Sequence, residues 1–460
     1  MIPYNEVSHY QSSRFCFGDA RLNRRCQFSL EHLFEKGSDK SFPYVFSKYK
    51  QLKGFYRLMN NNKVSPTKIQ QGANAGLVDF FTSSAYCGQD DYLYNYTDSS
   101  FGKYHERQVK LGYLEMPTDN GLLIHSGILT DSTFIPLGVS HQEFITRAYE
   151  NYGKSKNCGR RSFAEKESFK WTKGIDWAEE FSPKLGLPII NIMDREADSV
   201  EVYNYAFAKQ QLFIVRSKSN RKVIGAKVLL HQYLEQQPER LRTQRQLIDR
   251  KGKKHLVTCS IRYAQVQLNN FDALVWAIQL QAIDPPAELE ETRWTLLTNF
   301  DLEPSPDLSI RVVDIYTKRW CSTEDFHKCL KSGCRIEQRQ FRSMQALINS
   351  IALLSICAVR LLRMRHMSQA KPEAPLSQVL NQQQIKLAKV LAEEYLLDSD
   401  LKHCQEHTLL WWVLLLGRMG GHQGFKMKGL PGWQTLYRGW NYFQTILNGI
   451  NLSKNFFNSS

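Results

Sequence analysis

The sequence predicts a multi-domain α/β protein, on three observations. At 460 residues the chain exceeds what one hydrophobic core ordinarily organises, so two or three domains are expected. Its middle reads largely as strands, one of which, Leu187 to Met193, is apolar almost throughout. Both ends read as helical.

Residues 1–72 form the first expected domain, helical and basic. Twelve Lys plus Arg stand against five Asp plus Glu there, a local excess of +7 out of +15 for the whole chain. After Asp19, the stretch ARLNRRCQFSLEHLF sets Leu22, Cys26, Leu30 and Leu33 at helical spacing while Arg21, Arg24 and Arg25 project elsewhere. An apolar stripe with an arginine face suits a helix docked on DNA.

Residues 73–368 form the second. DYLYNYTD, Asp91 to Asp98, alternates aromatic and polar residues, and the run from Asn120 to Phe144 reads as two antiparallel strands joined at Thr130-Asp131-Ser132. The apolar run ending at Met193 fits a strand covered on both faces in mid-sheet. Between about 223 and 300, HLVTCSIRYAQVQL, ALVWAIQLQAI and RWTLLTN are further strands, separated by the basic loop Arg250 to Lys254 and by Asp284-Pro285-Pro286; this is a β-rich insertion. Helices return over 323–366, where Ser322 and Asp325 form a capping-box pattern that starts a helix at Thr323. MSQAKPEAPLSQ, Met367 to Gln378, has linker composition. Residues 369–460 are then a helical domain whose Trp411, Trp412, Trp433, Trp440, Phe443 and Leu447 either fill its own core or form a dimer surface.

The charge excess points to a polyanionic partner, either nucleic acid or anionic membrane. The longest apolar runs, Ile351 to Val359 and Leu409 to Leu416, are about half of the roughly 20 residues that span a bilayer, which disfavours the membrane. The first residues, Met-Ile-Pro-Tyr-Asn-Glu, lack a signal-peptide pattern, so a soluble cytoplasmic protein is expected. Ten cysteines scattered without a Cys-x-x-Cys pair read as free thiols, not a disulfide framework or zinc ribbon.

An acid at the end of a buried strand stands where open α/β folds hold ligands, and Asp98 and Asp194 both fit. Capping a turn or helix is the plainer role for either one alone. In YTKRWCSTEDFHKCLKSG, Tyr316 to Gly333, Glu324 falls in the first helical turn, with Lys328 and Lys331 on its face and Tyr316 and Arg319 just upstream. By itself that is an amphipathic helix with surface ion pairs. Three acids together compose a site for phosphodiester cleavage, in which one metal ion activates the nucleophile and another stabilises the leaving oxygen; magnesium suits such a site. His403 to His407, HCQEH, matches a zinc-protease pattern but reads as an exposed polar helix turn.

These residues carry a resemblance. NYTD with Asp98, IMDREAD with Asp194, and Tyr316-x-x-Arg319 followed by Glu324 and Lys331 resemble the DDE cut-and-paste transposases of bacterial insertion sequences, of the transposon-five type with its Tyr-Arg-Glu-Lys signature. FYRLMNNNKVSP, HQEF at His141, FIVRSKSNRK, DIYTKRW, EDFHK, GRMGG and GWQTLYRGW extend the likeness in order through most of the chain. One departure is clear: four residues separate Arg319 from Glu324, where the family usually has three.

The resemblance implies a ribonuclease-H-like catalytic core carrying Asp98, Asp194 and Glu324 as catalytic residues and ligands of two Mg2+ ions, with Mn2+ able to substitute. It implies nicking at the transposon end, hairpin formation and opening, and strand transfer to target DNA, performed by a homodimer bridged by double-stranded DNA at the bacterial nucleoid. Tyr316 and Arg319 would hold a flipped-out base and its phosphate, Trp294 would stack in the hairpin, and Lys331, Arg216 and Lys218 would contact DNA. Arg24, Arg25 and Arg57 are the candidates for binding transposon ends. The rival readings are a non-catalytic, transposase-derived DNA-binding inhibitor and a nuclease that cuts without joining.

Overall fold

The computed structural model describes residues 14–82, 91–105, 109–153, 161–249, 251, 253–289, 292–424 and 429–458. Cys87, Cys158, the first residues of the chain, and Arg250 and Gly252 of the basic loop lie outside that set.

Helix α1 (Ala20–Lys36) is capped by Asp19, whose carboxylate accepts the Arg21 amide at 2.8 Å, and buries the stripe Leu22, Cys26, Leu30 and Leu33. With α2 (Tyr49–Met59) and α3 (Pro66–Thr82) it shares a core with residues far along the chain, among them Phe326, Ile351 and Leu354. The boundary expected after residue 72 therefore falls inside α3. Gly72 does not end that helix; it gives Phe15 room, since a Cβ there would lie 2.6 Å from the ring.

The centre is a nine-stranded mixed sheet in the order β3-β2-β1-β4-β5-β9-β8-β7-β6. Strands β1 (Leu93–Lys103), β2 (Gly121–Thr130) and β3 (Pro136–Ile145) form an antiparallel meander. Asp131 closes the β2–β3 turn by accepting the amides of Thr133 and Ile135 at 3.0 and 2.8 Å. Helix α4 (Thr172–Leu185) leads into β4 (Ile189–Met193), buried at every position, and α5 (Val200–Ala208) crosses over to β5 (Leu212–Arg216). Strands β1, β4 and β5 are mutually parallel, which is why crossover helices are needed between them.

The insertion strands β6 (Leu241–Ile248), β7 (Lys254–Gln267), β8 (Leu274–Ala282) and β9 (Arg293–Thr298) are antiparallel neighbours, and β9 pairs with β5. They extend the central sheet instead of folding apart from it.

Helices return at α6 (Asp307–Thr317), earlier than the expected residue 323, because its Val312, Val313 and Ile315 cover the sheet residues Tyr96, Ile190 and Ile192. Helix α7 (Met344–Ala370) follows; it is long and apolar enough to cross a membrane, yet 78% of its most apolar window is buried inside the protein. The expected linker begins within its last turns, where Met367 and Ser368 are buried. Beyond it lie α8 (Gln382–Tyr395), α9 (Leu409–Met419) and α10 (Trp433–Asn458). Trp411, Trp412, Phe443 and Leu447 are buried in one cluster with Trp440 against it, so these fill the region's own core, whereas Trp433 packs against the core shared by α1 to α3 and α7.

Candidate active site and DNA-facing surface

Strand register builds the site. Along β1 and β4, Tyr94 lies beside Ile190 and Tyr96 beside Ile192; side chains alternate faces, so the next residues on that face are Asp98 and Asp194. Asp98 sits midway along β1, not at its end, but β4 stops at Met193, so the two carboxylates flank the point where the parallel pairing ends. Ile214 on β5 pairs with Ile192, and the same alternation brings Arg216 into the row. Opposite Arg216 on β9 is Leu296, and Trp294 lies two residues before it on the same face; the Arg216 guanidinium stands 5.3 Å from the Trp294 ring.

Helical residues close the site from above. The helix expected to begin at Thr323 is already under way: α6 passes through Lys318 and Arg319 into a π-helical turn over Trp320–Glu324, then one α-turn at Asp325–Lys328 and a second π-helical turn at Cys329–Gly333. Ser322 caps nothing and instead donates to the Lys318 carbonyl at 3.1 Å. In an α-helix, residues five apart point about 140° away from each other. A π-turn bonds i to i+5 and brings them toward one face. The fourth residue between Arg319 and Glu324 is thus absorbed as a helical bulge.

Arg319 is 6% exposed and spans both aspartates: one guanidinium nitrogen is paired with Asp98 and the other lies 3.5 Å from Asp194 Oδ1. Thr323, one turn on, reaches Asp98 Oδ2 at 3.2 Å while bonding the Arg319 carbonyl at 3.0 Å. The Ser99 amide donates to the other Asp98 oxygen at 2.7 Å. Burial pushes the Asp98 carboxyl up, opposed by Arg319 and reinforced by Asp194. Glu324 is also raised, chiefly by burial, with Lys328 and Arg319 opposing and Asp98 adding to the shift. Burial works against the charge of Arg319, but Asp98, then Tyr316 and Asp194, hold it above its ordinary value.

The remaining candidates divide by position. Tyr316 is 2% exposed and lies edge-on to Trp294, ring centres 6.2 Å apart, with burial lifting its hydroxyl to about 12. Arg216, Trp294, Tyr316 and Arg319 thereby form a continuous aromatic and cationic wall leading to the acids. Of the two lysines expected on Glu324's face, Lys328 lies 3.7 Å from Glu324, whereas Lys331 lies 3.7 Å from Glu337. Lys218 is exposed in the loop after β5. On the N-terminal helices Arg24, Arg25 and Arg57 are all exposed, beside a ridge on α2 where Lys53 stands 5.5 Å from the Tyr49 ring. Gly54 of that helix underlies Arg25, so α1 and α2 present their arginines together.

Two residues escaped sequence reasoning. Thr323 carried no signal beyond its helical spacing from Arg319. Asp198, the last residue of IMDREAD, is fully buried and accepts the Lys218 and Ser219 amides at 2.7 and 2.9 Å while pairing with Arg221. It anchors the loop that displays Lys218. His403 to His407, read as a helix turn, is instead an exposed non-helical turn with His407 at φ 65°, so its histidines do not share a helix face. Among the described residues no three His, Cys, Asp or Glu side chains already surround one metal position. Two of the acids, Asp98 and Asp194, do converge on one cation, the Arg319 guanidinium between them.

Comparison with known families adds an independent observation. Residues 10–64 match the model of the transposase DNA-binding family. The match covers α1 and α2 with their exposed arginines, and it supports a transposase with DNA as its partner.

Proposed function

We propose that the chain is a DDE cut-and-paste transposase of the transposon-five type, with a ribonuclease-H-like core formed by β1 to β5. The observation that carries this reading is the convergence of Asp98 and Asp194, from adjacent parallel strands, beneath a helical segment bearing Glu324. The sheet order 3-2-1-4-5, an antiparallel meander followed by two parallel strands, supports this reading by placing Asp98 and Asp194 on one face.

In this reading Asp98, Asp194 and Glu324 hold two Mg2+ ions, with Mn2+ as a substitute. When bound, the ions activate the attacking oxygen and stabilise the leaving one. Arg319 binds the phosphate next to the cut, Tyr316 and Trp294 receive the displaced base, and Arg216, Lys218 and Lys331 line the backbone path. The N-terminal arginines Arg24, Arg25 and Arg57 grip the transposon end, in a homodimer assembled on DNA.

The test is incubation of the purified protein with Mg2+ and a labelled duplex carrying its element's end, with products resolved on a denaturing gel. A nick followed by a hairpin is expected, and Asp98→Asn, Asp194→Asn and Glu324→Gln should each abolish both while leaving end binding intact. Specific binding without any cleavage would point instead to a transposase-derived inhibitor, and cleavage without joining to a nuclease.

A further inference from the structure

We infer that Arg319 is an internal counter-cation that closes the acid pair in the DNA-free protein, so that metal ions load tightly only when a DNA phosphate draws the arginine away. This rests on the proposed metal-dependent reading of the site.

Four observations converge on it. Arg319 bridges Asp98 and Asp194, the two acids that the proposed reading assigns to metal binding, and is almost wholly buried there. No three acidic or metal-ligating side chains among the described residues surround a metal position in this arrangement, so the guanidinium is present where the ligand cluster is not. The guanidinium also has somewhere to go. It lies 5.5 Å from the ring of Trp320, which is 53% exposed, and 5.9 Å from that of Tyr316, so an aromatic track leads from the acids towards solvent. Finally, Arg319 is the residue immediately before the π-helical turn, the irregular point in an otherwise continuous helical path, where backbone adjustment is easiest.

The chemistry supports an exchange. A planar guanidinium matches a phosphate bidentately as well as it matches carboxylates. A phosphate approaching the acids brings a new partner for Arg319, and its departure leaves two carboxylates close together, a combination that a divalent cation relieves. Metal and DNA would then bind with positive coupling: each makes the other's site.

The experiment measures Mn2+ affinity by electron paramagnetic resonance on the full chain, with and without the end duplex, for wild type, Arg319→Gln, Arg319→Lys and the combination of Asp98→Asn with Asp194→Asn. Without DNA, wild type should bind weakly and Arg319→Gln at least about tenfold more tightly. Arg319→Lys keeps the charge but cannot fork across both acids, and should also bind more tightly than wild type. Adding duplex should tighten wild type and narrow the gap to the variants. Equal affinities for wild type and both variants, with binding lost in the double aspartate variant, would overturn the counter-cation and leave the metal site standing. A gap unchanged by duplex would likewise overturn it. Binding that survives in the double aspartate variant, or is absent from every form, would overturn the metal site itself and the inference with it.

Discussion

At the scale of single residues, Asp198 shows how one buried carboxylate can fix the loop that follows a strand. Its fully buried side chain, beside Tyr203, accepts the amides of the exposed residues Lys218 and Ser219 and pairs with Arg221, which is 15% exposed. Asp198→Asn removes the charge but keeps an acceptor, leaving Arg221 short of its counter-ion. A loss of about 3 kcal/mol is expected, because one member of a buried pair has been stripped of its partner. Thermal melts should show it, and limited trypsin digestion should cut first at Lys218 or Arg221; an unchanged melting curve and cutting pattern would contradict the anchoring role. The sequence pointed to Asp98, Asp194 and Glu324 through strand ends and motif context. It could not reveal Asp198 or Thr323, because Lys218 and Ser219 for the one and Asp98 for the other lie 20 or more residues away and are brought near only by the fold.

At the scale of elements, the helical path from Asp307 to Gly333 is where expectation and structure differ most. A capping-box pattern predicts a start at Thr323, but the apolar face of α6 continues the helix from upstream, and tertiary cover outweighs a local signal. Strand alternation, in contrast, was legible: the aromatics of DYLYNYTD and the buried run before Asp194 lie where period two and unbroken apolarity place them. Deleting the exposed Cys321 should convert the turn Trp320–Glu324 to regular α-helix and set Arg319 and Glu324 four residues apart. The variant should fold, with a melting temperature within a few degrees of wild type. Circular dichroism melts and a crystal structure check this; a collapse of helical content would show that the bulge is required for packing rather than merely tolerated.

At the scale of the whole molecule, buried histidines set the acid limit. His125 and His141 sit on neighbouring strands with ring centres 5.7 Å apart, and His327 lies buried on the helical path. Burial holds His141 and His327 down to about 3, and His125 well below its usual range, with His141 and Lys170 adding to the effect. The unfolded chain takes up protons at these positions as pH falls below about 6.5, whereas the folded chain does not, so stability drops from there towards pH 3. Each contributes at most about 1.4 kcal/mol per pH unit. The melting temperature should fall steeply between pH 7 and pH 5, and His141→Gln should flatten the curve; equal slopes for the two proteins would remove His141 from the account. The same scale shows why domain limits were hard to read. Helices α1 to α3 and α7 bury one common core, so composition changes along the chain where packing does not.

The pairing of β9 with β5 has a mechanical consequence. Trp294, Arg216 and Asp98 are mounted on one continuous hydrogen-bonded plate, with Asp194 one residue past the end of β4, and the spacing between its strands cannot stretch without breaking ladder bonds. On the proposed reading, a displacement that accompanies DNA falls on the opposite side, on the helical path that carries Tyr316, Arg319 and Glu324. In that picture the sheet is the fixed anvil and the helical path the hammer.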